Sequence, residues 1–344
     1  MAQCPSAAPS GLTILLGHGG GGRLMHELLN DLLPCFQVGE DPQANLDAAV
    51  CAMPSSRIAF TTDSYVVRPR RFPGGDIGML AVHGTLNDLA MVGAQPRYLS
   101  CSLIIEEGFE RAELAALIAS MSDAARACGV TVVTGDTKVV ERGCGDGLFI
   151  NTAGVGVLSP GVDIGPHRVE PGDCILLSGD IGRHAVAVMT ARDNLQFEEP
   201  VLTDSMSLAP SVQALLQANV DVRFMRDITR GGLASALVET AIASQRSLAV
   251  DESAVCVSPG VAAACELTGL DPWHLACEGR FIAVVPEADM DRAIATLRAV
   301  DHRNDPRSIG LVESGREGKV RCRSVYGSTR SLVMASGELL PRIC

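Results

Sequence analysis

Two spacings of apolar residues alternate along the chain. Ile58-Ala59-Phe60-Thr61-Thr62-Asp63-Ser64, Leu99-Ser100-Cys101-Ser102-Leu103-Ile104-Ile105 and Val130-Thr131-Val132-Val133 are β-prone runs that read as strands. Between them the apolar positions recur at helical spacing. From Gly78 to Met91 the segment is apolar at helical spacing, with Asn87 and Asp88 embedded in it, and two polar residues inside so apolar a helix need partners. From Glu110 to Cys128, Leu114, Leu117, Ile118, Met121, Ala125 and Cys128 share one face, acidic residues crowd the first turn, and Gly129 ends the helix. Residues 159–172 contain three prolines and three glycines and read as a boundary. The pattern then restarts with a strand at Cys174-Ile175-Leu176-Leu177 and helices over 182–192, 207–219, 233–244 and 288–300. Further strands are predicted at Phe281–Val285 and near Ile309 and Val320. The expectation is two α/β units, 13–160 and 172–330, with a loose Pro/Ser/Ala-rich extension at 1–12 and a mobile tail at 331–344.

Composition narrows the chemistry. A chain of 344 residues with 47% hydrophobic side chains has material for two cores. Its 28 basic against 40 acidic residues give a formal charge of −12, which argues against a nucleic-acid surface or an anionic membrane, and only 3% are aromatic, too few for base-stacking platforms. Phosphate would have to be held by metal ions and backbone amides. No run of about 18 apolar residues predicts a membrane span, and Met1-Ala2-Gln3-Cys4-Pro5 lacks a signal-peptide pattern, so a cytoplasmic protein is expected. The 12 cysteines include no Cys-x-x-Cys and read mostly as small buried side chains.

Three features carry candidate chemistry. Gly19, Gly20, Gly21 and Gly22 follow His18 and precede the helical pattern Leu24-Met25-His26-Glu27-Leu28-Leu29, and Gly231 and Gly232 precede the helix at 233–244. Backbone amides at such helix starts can face an anion, although a flexible linker and a capped helix start are the plain alternatives. Asp47, Asp63, Asp88 and Asp136 form a set of acids, three of them at strand ends, whose oxygens suit Mg²⁺; Lys138 lies two residues beyond the last. Finally, Ser336-Gly337-Glu338-Leu339-Leu340-Pro341-Arg342-Ile343-Cys344 is a tail loosened by one glycine and stiffened by Pro341, and it ends in a thiol that a docking tail could present or withdraw.

These segments resemble the ATP-binding superfamily of aminoimidazole ribonucleotide synthetase, thiamine-monophosphate kinase and selenophosphate synthetase. Within it the chain is similar to the HypE family of hydrogenase-maturation carbamoyl dehydratases. The motifs are His18-Gly19-Gly20-Gly21-Gly22-Arg23, Thr62-Asp63-Ser64, Phe72-Pro73-Gly74-Gly75-Asp76-Ile77-Gly78, Asn87-Asp88-Leu89-Ala90, Gly135-Asp136-Thr137-Lys138-Val139-Val140, Arg226-Asp227-Ile228-Thr229-Arg230-Gly231-Gly232 and Pro341-Arg342-Ile343-Cys344. The resemblance implies two mixed α/β domains of the aminoimidazole ribonucleotide synthetase type. Cys344 would carry a carbamoyl group, which ATP and Mg²⁺ convert to a thiocyanate. It further implies Mg²⁺ on Asp47, Asp63, Asp88 and Asp136, nucleotide contacts from Gly19–Gly22, Asn87, Asp227, Gly231 and Gly232, and proton removal by Glu278 and Lys138 near the inward tail, with His18 orienting the reacting group. The implied partners are a carbamoyltransferase, an iron-carrying scaffold complex that receives cyanide, and a second copy joined through the N-terminal domains, with no nucleic acid or membrane. The family often has a serine in the N-terminal loop where this chain has only glycine. A selenophosphate synthetase-like enzyme or small-molecule kinase of the superfamily, and a non-catalytic metal-assembly scaffold, are the rival readings.

Overall fold

A computed structural model describes residues 22–24, 49–52, 57–193, 195, 197, 199–302, 304–335, 337, 340 and 342–344. The N-terminal unit runs β1 (Ala49–Ala52), β2 (Arg57–Tyr65), a small hairpin of β3 (Arg71–Phe72) and β4 (Gly75–Asp76), α1 (Ile77–Met91), β5 (Gln95–Glu106), α2 (Arg111–Ala127), β6 (Thr131–Val140) and β7 (Leu148–Leu158). Its sheet has the order β1-β2-β7-β5-β6. Only β5 and β6 are parallel, because α2 carries the chain back between them; the other neighbours are antiparallel.

Alternation gives the sheet two different faces. On β2 the buried Ala59, Thr61 and Tyr65 face the helices while Phe60, Thr62 and Ser64 face away. Leu80, Val82, Leu86 and Leu89 of α1 are all fully buried. One side of this helix packs on β2 and β7, and other residues of it join clusters from the second unit, which is why its apolar positions run all round rather than along one stripe. The side chain of Asp76 caps it by accepting the Met79 amide at 3.0 Å. The opposite face of the sheet leaves Phe60, Tyr98, Ile104 and Val157 exposed.

The second unit contains β8 (Cys174–Leu177), α3 (Arg183–Asp193), α4 (Ala209–Gln217), β9 (Phe224–Asp227), α5 (Gly232–Ser244), β10 (Ser247–Asp251), α6 (Pro259–Thr268), β11 (Phe281–Val285), α7 (Met290–Val300), β12 (Arg307–Glu313), β13 (Val320–Arg323) and β14 (Thr329–Leu332). Its seven-stranded sheet has the order β14-β13-β10-β12-β8-β11-β9. Every residue of β11 is buried, as a central strand covered on both faces requires.

Most predicted elements are present. The alternation of buried and partly exposed residues along β7 adds a strand between β2 and β5 that the sequence reading passed over, together with the β3–β4 hairpin, β9, β10, α6 and β14. Asp136 lies within β6, four residues before its end, rather than at a strand terminus, because the strand continues through the glycine and the acid to Val140.

Candidate active site

The tail is docked. The Arg68 amide donates to Arg342 O at 3.0 Å and the Val66 amide to Cys344 O at 3.4 Å, so residues 342–344 run antiparallel to the extension of β2. Ile343 is 8% exposed and joins a core cluster shared by α1 and α3, with Cys344 packed against its edge. Arg342 pairs with Asp146 at 2.8 Å.

Cys344 thereby comes within electrostatic reach of Arg230. Cys344 is the first cause that raises the pKa of the Arg230 guanidinium, with Asp63, Glu278 and Tyr65 adding to the effect against the opposing cost of burial. Glu278 is the central acid of this group. It is 2% exposed, and burial first, then the charges of Asp227, Asp63 and Asp204, push its carboxyl well above the ordinary range, with Arg230 opposing them. Its Oε1 is buried and finds no hydrogen-bond partner among the described residues. The Tyr65 phenol is likewise raised by burial and by Asp63 and Asp88, and its hydroxyl is 3.2 Å from Thr85 Oγ1.

The backbone of Glu278 is tightly fixed. Asp204 accepts the amides of Glu278 and Gly279 at 3.2 and 3.3 Å. A Cβ on Gly279 would stand 1.9 Å from Asp204 O, so glycine is what lets the two segments approach. Asn87 donates from Nδ2 to Glu278 O at 3.2 Å and to Met206 O at 3.0 Å, and its Oδ1 accepts the Leu208 amide at 2.7 Å. In this chain the Asn87 amide clamps α1 to the second unit, a different position from the nucleotide contact expected of it.

The acids expected to form one cage are divided between the two faces of the sheet. Thr61 Oγ1 donates to Asp88 Oδ2 at 2.9 Å, and Asp63 Oδ1 accepts the Ser64 amide at 2.8 Å; both acids act electrostatically on Tyr65. Asp136 is instead aligned across the sheet with Ser102, Asn151 and Ser64, which places it on the opposite face from Asp63 and three strands away, roughly 14 Å at about 4.8 Å per strand. Lys138 shares that outer face, in register with Ile104, so within one chain it is not beside Glu278 and Cys344 as expected. The cation at Glu278 is Arg230. Alternation along β6 fixes this separation, since residues two apart share a face and cross-strand neighbours do too.

Asp227 is buried and accepts from Thr229 Oγ1 at 3.3 Å. Gly231 and Gly232 have φ of 80° and 65°, and a Cβ on Gly232 would lie 2.6 Å from Trp273 O, so the pair serves a left-handed turn and close packing. The Gly232 amide donates to Thr229 O at 3.0 Å. Gly22 packs on the start of the tail, where a Cβ would be 2.1 Å from Ala335 O. His18, Gly19, Gly20, Gly21 and Asp47 lie outside the described residues. Among the described residues no three His, Cys, Asp or Glu side chains converge on a metal-holding point. Asp63 and Asp227 both act electrostatically on Glu278, and Asp63 and Asp88 both act on Tyr65, so one or two of these carboxylates at a time fit Mg²⁺, which completes its shell with water and phosphate oxygens.

The profile of the AIR synthase related protein N-terminal domain matches residues 45–158, and that of the C-terminal domain residues 170–323. "Carbamoyl dehydratase HypE" of Cupriavidus necator is 46% identical over 331 residues, 96% of this chain and 94% of that protein. The chain belongs to the HypE carbamoyl dehydratase family. Two solved HypE structures share its fold. One, a HypE–HypF complex, superposes with a TM-score of 0.83 at 39% identity, covering 91% of this chain and 100% of the other. The second, HypE in complex with ATP, gives 0.81 at 44% identity, covering 96% and 100%. HypE relatives are thus dehydratases by name, and this chain is a dehydratase of that kind with both domains in place.

Reading motifs singled out Cys344, Glu278 and Asp63, each of which acts electrostatically on Arg230. It missed Arg230, Tyr65 and Asp204. Arg230 sat in view within Arg226-Asp227-Ile228-Thr229-Arg230-Gly231-Gly232, whereas nothing local to Asp204 announces that its carboxylate holds the backbone of residue 278.

Proposed function

We propose that this chain dehydrates an S-carbamoyl group on Cys344 to a protein thiocyanate at the cost of one ATP, supplying cyanide for the iron centre of a NiFe hydrogenase. The observation that supports the reading is the docked tail, whose last residue lies within electrostatic reach of Arg230, the cation that also acts on the buried acid Glu278. A carbamoyltransferase of the kind seen in the HypE–HypF complex loads the thiol, and an iron-carrying scaffold complex receives the cyanide. The solved ATP complex of a relative supports the nucleotide as cosubstrate.

The balance of the reaction is Cys–S–C(=O)NH₂ plus ATP giving Cys–S–C≡N, ADP and phosphate. Oxide is a very poor leaving group, so the carbamoyl oxygen departs as phosphate after receiving the γ-phosphoryl group, and the nitrogen gives up its two protons. Arg230 draws the tail's sulfur end inward, and Glu278, once ionised, is the group placed to take a proton from nitrogen. Mg²⁺ held by one or two of Asp63, Asp88 and Asp227 together with phosphate oxygens and water would neutralise the transferring phosphoryl charge. The reading places the protein in the cytoplasm, and among the described residues no helix is long and apolar enough to cross a membrane.

Lys138 and Asp136 enter this scheme through a second copy. They lie on the sheet face that exposes Phe60, Tyr98, Ile104 and Val157, an apolar surface suited to closing a homodimer. Mixing inactive Lys138→Ala protein with inactive Glu278→Gln protein under subunit exchange is expected to restore part of the activity, because a mixed dimer holds one site with both groups intact. No recovery despite demonstrated exchange would rule out a role for Lys138 in the partner copy's site.

The direct test is mass spectrometry of the peptide ending at Cys344. After carbamoylation, incubation with Mg-ATP should remove the mass of one water from that peptide alone. An unchanged mass in the presence of ATP, or the change on a different cysteine, refutes the proposed reaction.

A further inference from the structure

The docked tail is held by polar groups that have no part in the chemistry above. His184, fully buried on α3, lies with Nε2 2.6 Å from Ile343 O. A carbonyl oxygen only accepts, so Nε2 carries the imidazole proton. Nδ1 therefore accepts from Thr203 Oγ1 at 2.8 Å, and that oxygen in turn accepts the Ser205 amide at 3.1 Å. The ring of Phe72 meets the imidazole edge-on, with centroids 5.3 Å apart. Burial keeps the imidazole neutral by lowering its pKa, in agreement with this tautomer. Two turns further along α3, Arg192 donates from Nη2 to Arg342 O and from Nε to Arg68 O, each at 2.8 Å.

We propose that His184 and Arg192 form a latch for the tail, gripping the carbonyls of Ile343 and Arg342 and so setting the fraction of time that Cys344 spends docked. Both contacts are to main-chain oxygens, so the latch reads the tail's backbone path while Ile343 supplies the apolar anchor. It is also continuous with the acid. Thr203, which fixes the imidazole, immediately precedes Asp204, which holds the amides of Glu278 and Gly279. A tail seated on His184 therefore arrives in register with Glu278. His184 and Arg192 are positioning residues in this scheme, and that consequence rests on the dehydratase reading; the latch itself does not.

The test uses the full chain without ATP or carbamoyl donor. The rate at which a bulky polyethylene-glycol maleimide modifies Cys344 is compared with that at Cys128, a partly exposed thiol at the end of α2. His184→Ala and Arg192→Ala are each expected to raise the Cys344-to-Cys128 ratio roughly three- to tenfold, the size set by losing one hydrogen bond. His184→Gln retains an N–H donor at the level of Nε2 and should stay near the parental ratio. Arg192 is only partly buried, so its alanine variant keeps the experiment decisive if His184→Ala does not fold. A parental ratio in folded Arg192→Ala or His184→Ala overturns the latch, as does a His184→Gln protein that labels like the alanine variant. A parallel rise at both cysteines also overturns it, since that is the mark of general loosening. Failure of the dehydratase reading would leave these rates untouched and is thus a separate result.

Discussion

Replacing Cys344 by serine is expected to abolish carbamoyl loading and every later step, while nucleotide binding stays within about twofold of the parent. The substitution changes one atom at the end of a docked segment, so the backbone contacts of Val66 and Arg68 and the seat of Ile343 persist. What disappears is the nucleophile. A thiol, through its thiolate, is a strong nucleophile, whereas a serine hydroxyl in the same place stays protonated at neutral pH and is a far weaker acceptor of the carbamoyl group. Radiolabelled carbamoyl transfer from the partner enzyme and calorimetric titration with ATP read the two properties independently. Label appearing at undiminished level on the serine variant would move the carrier to another thiol, the exposed Cys144 being the first to examine.

Glu278→Gln should lower dehydration of the loaded protein about 10²- to 10⁴-fold, the usual contribution of a positioned proton acceptor, with loading unaffected. The same substitution has a signature in stability. The folded carboxyl sits well above its unfolded value because it is buried among Asp227, Asp63 and Asp204. Its favourable contribution is therefore fully present below the unfolded pKa, about 4.3, and is lost as pH rises through the raised folded value. Glutamine carries no such proton, so the variant should melt progressively higher than the parent as pH increases from 5 to 9 in the absence of ligands. Melting curves that shift in parallel across that range would show that Glu278 is not the strained acid described above. The same argument ties activity to occupancy: a cation among these carboxylates favours the ionised form that a base requires.

The elements of the fold were legible because they are local. The apolar residues of 78–91 at helical spacing predicted a helix, and α1 is buried where it meets both units. β7 was passed over although its burial alternates cleanly, because its glycines and Asn151 and Thr152 dilute the apolar run. Asn87 shows the limit of motif reading. Its burial inside α1 was evident, but its partners at Met206, Leu208 and Glu278 are more than a hundred residues away along the chain.

By itself the sequence determined the two α/β units, the thiol-bearing tail, the acids available to a metal ion and the family, all of which depend on residue type and on spacing along the chain. Only the tertiary structure decided which of those groups meet. The pleat of β6 turns Asp136 and Lys138 to the face opposite Asp63, while a docked tail brings Cys344 across the whole chain within electrostatic reach of Arg230. The reason is geometric: side-chain direction alternates with every residue of a strand, and long-range contacts follow from how sheets and helices stack, neither of which a spacing in sequence records.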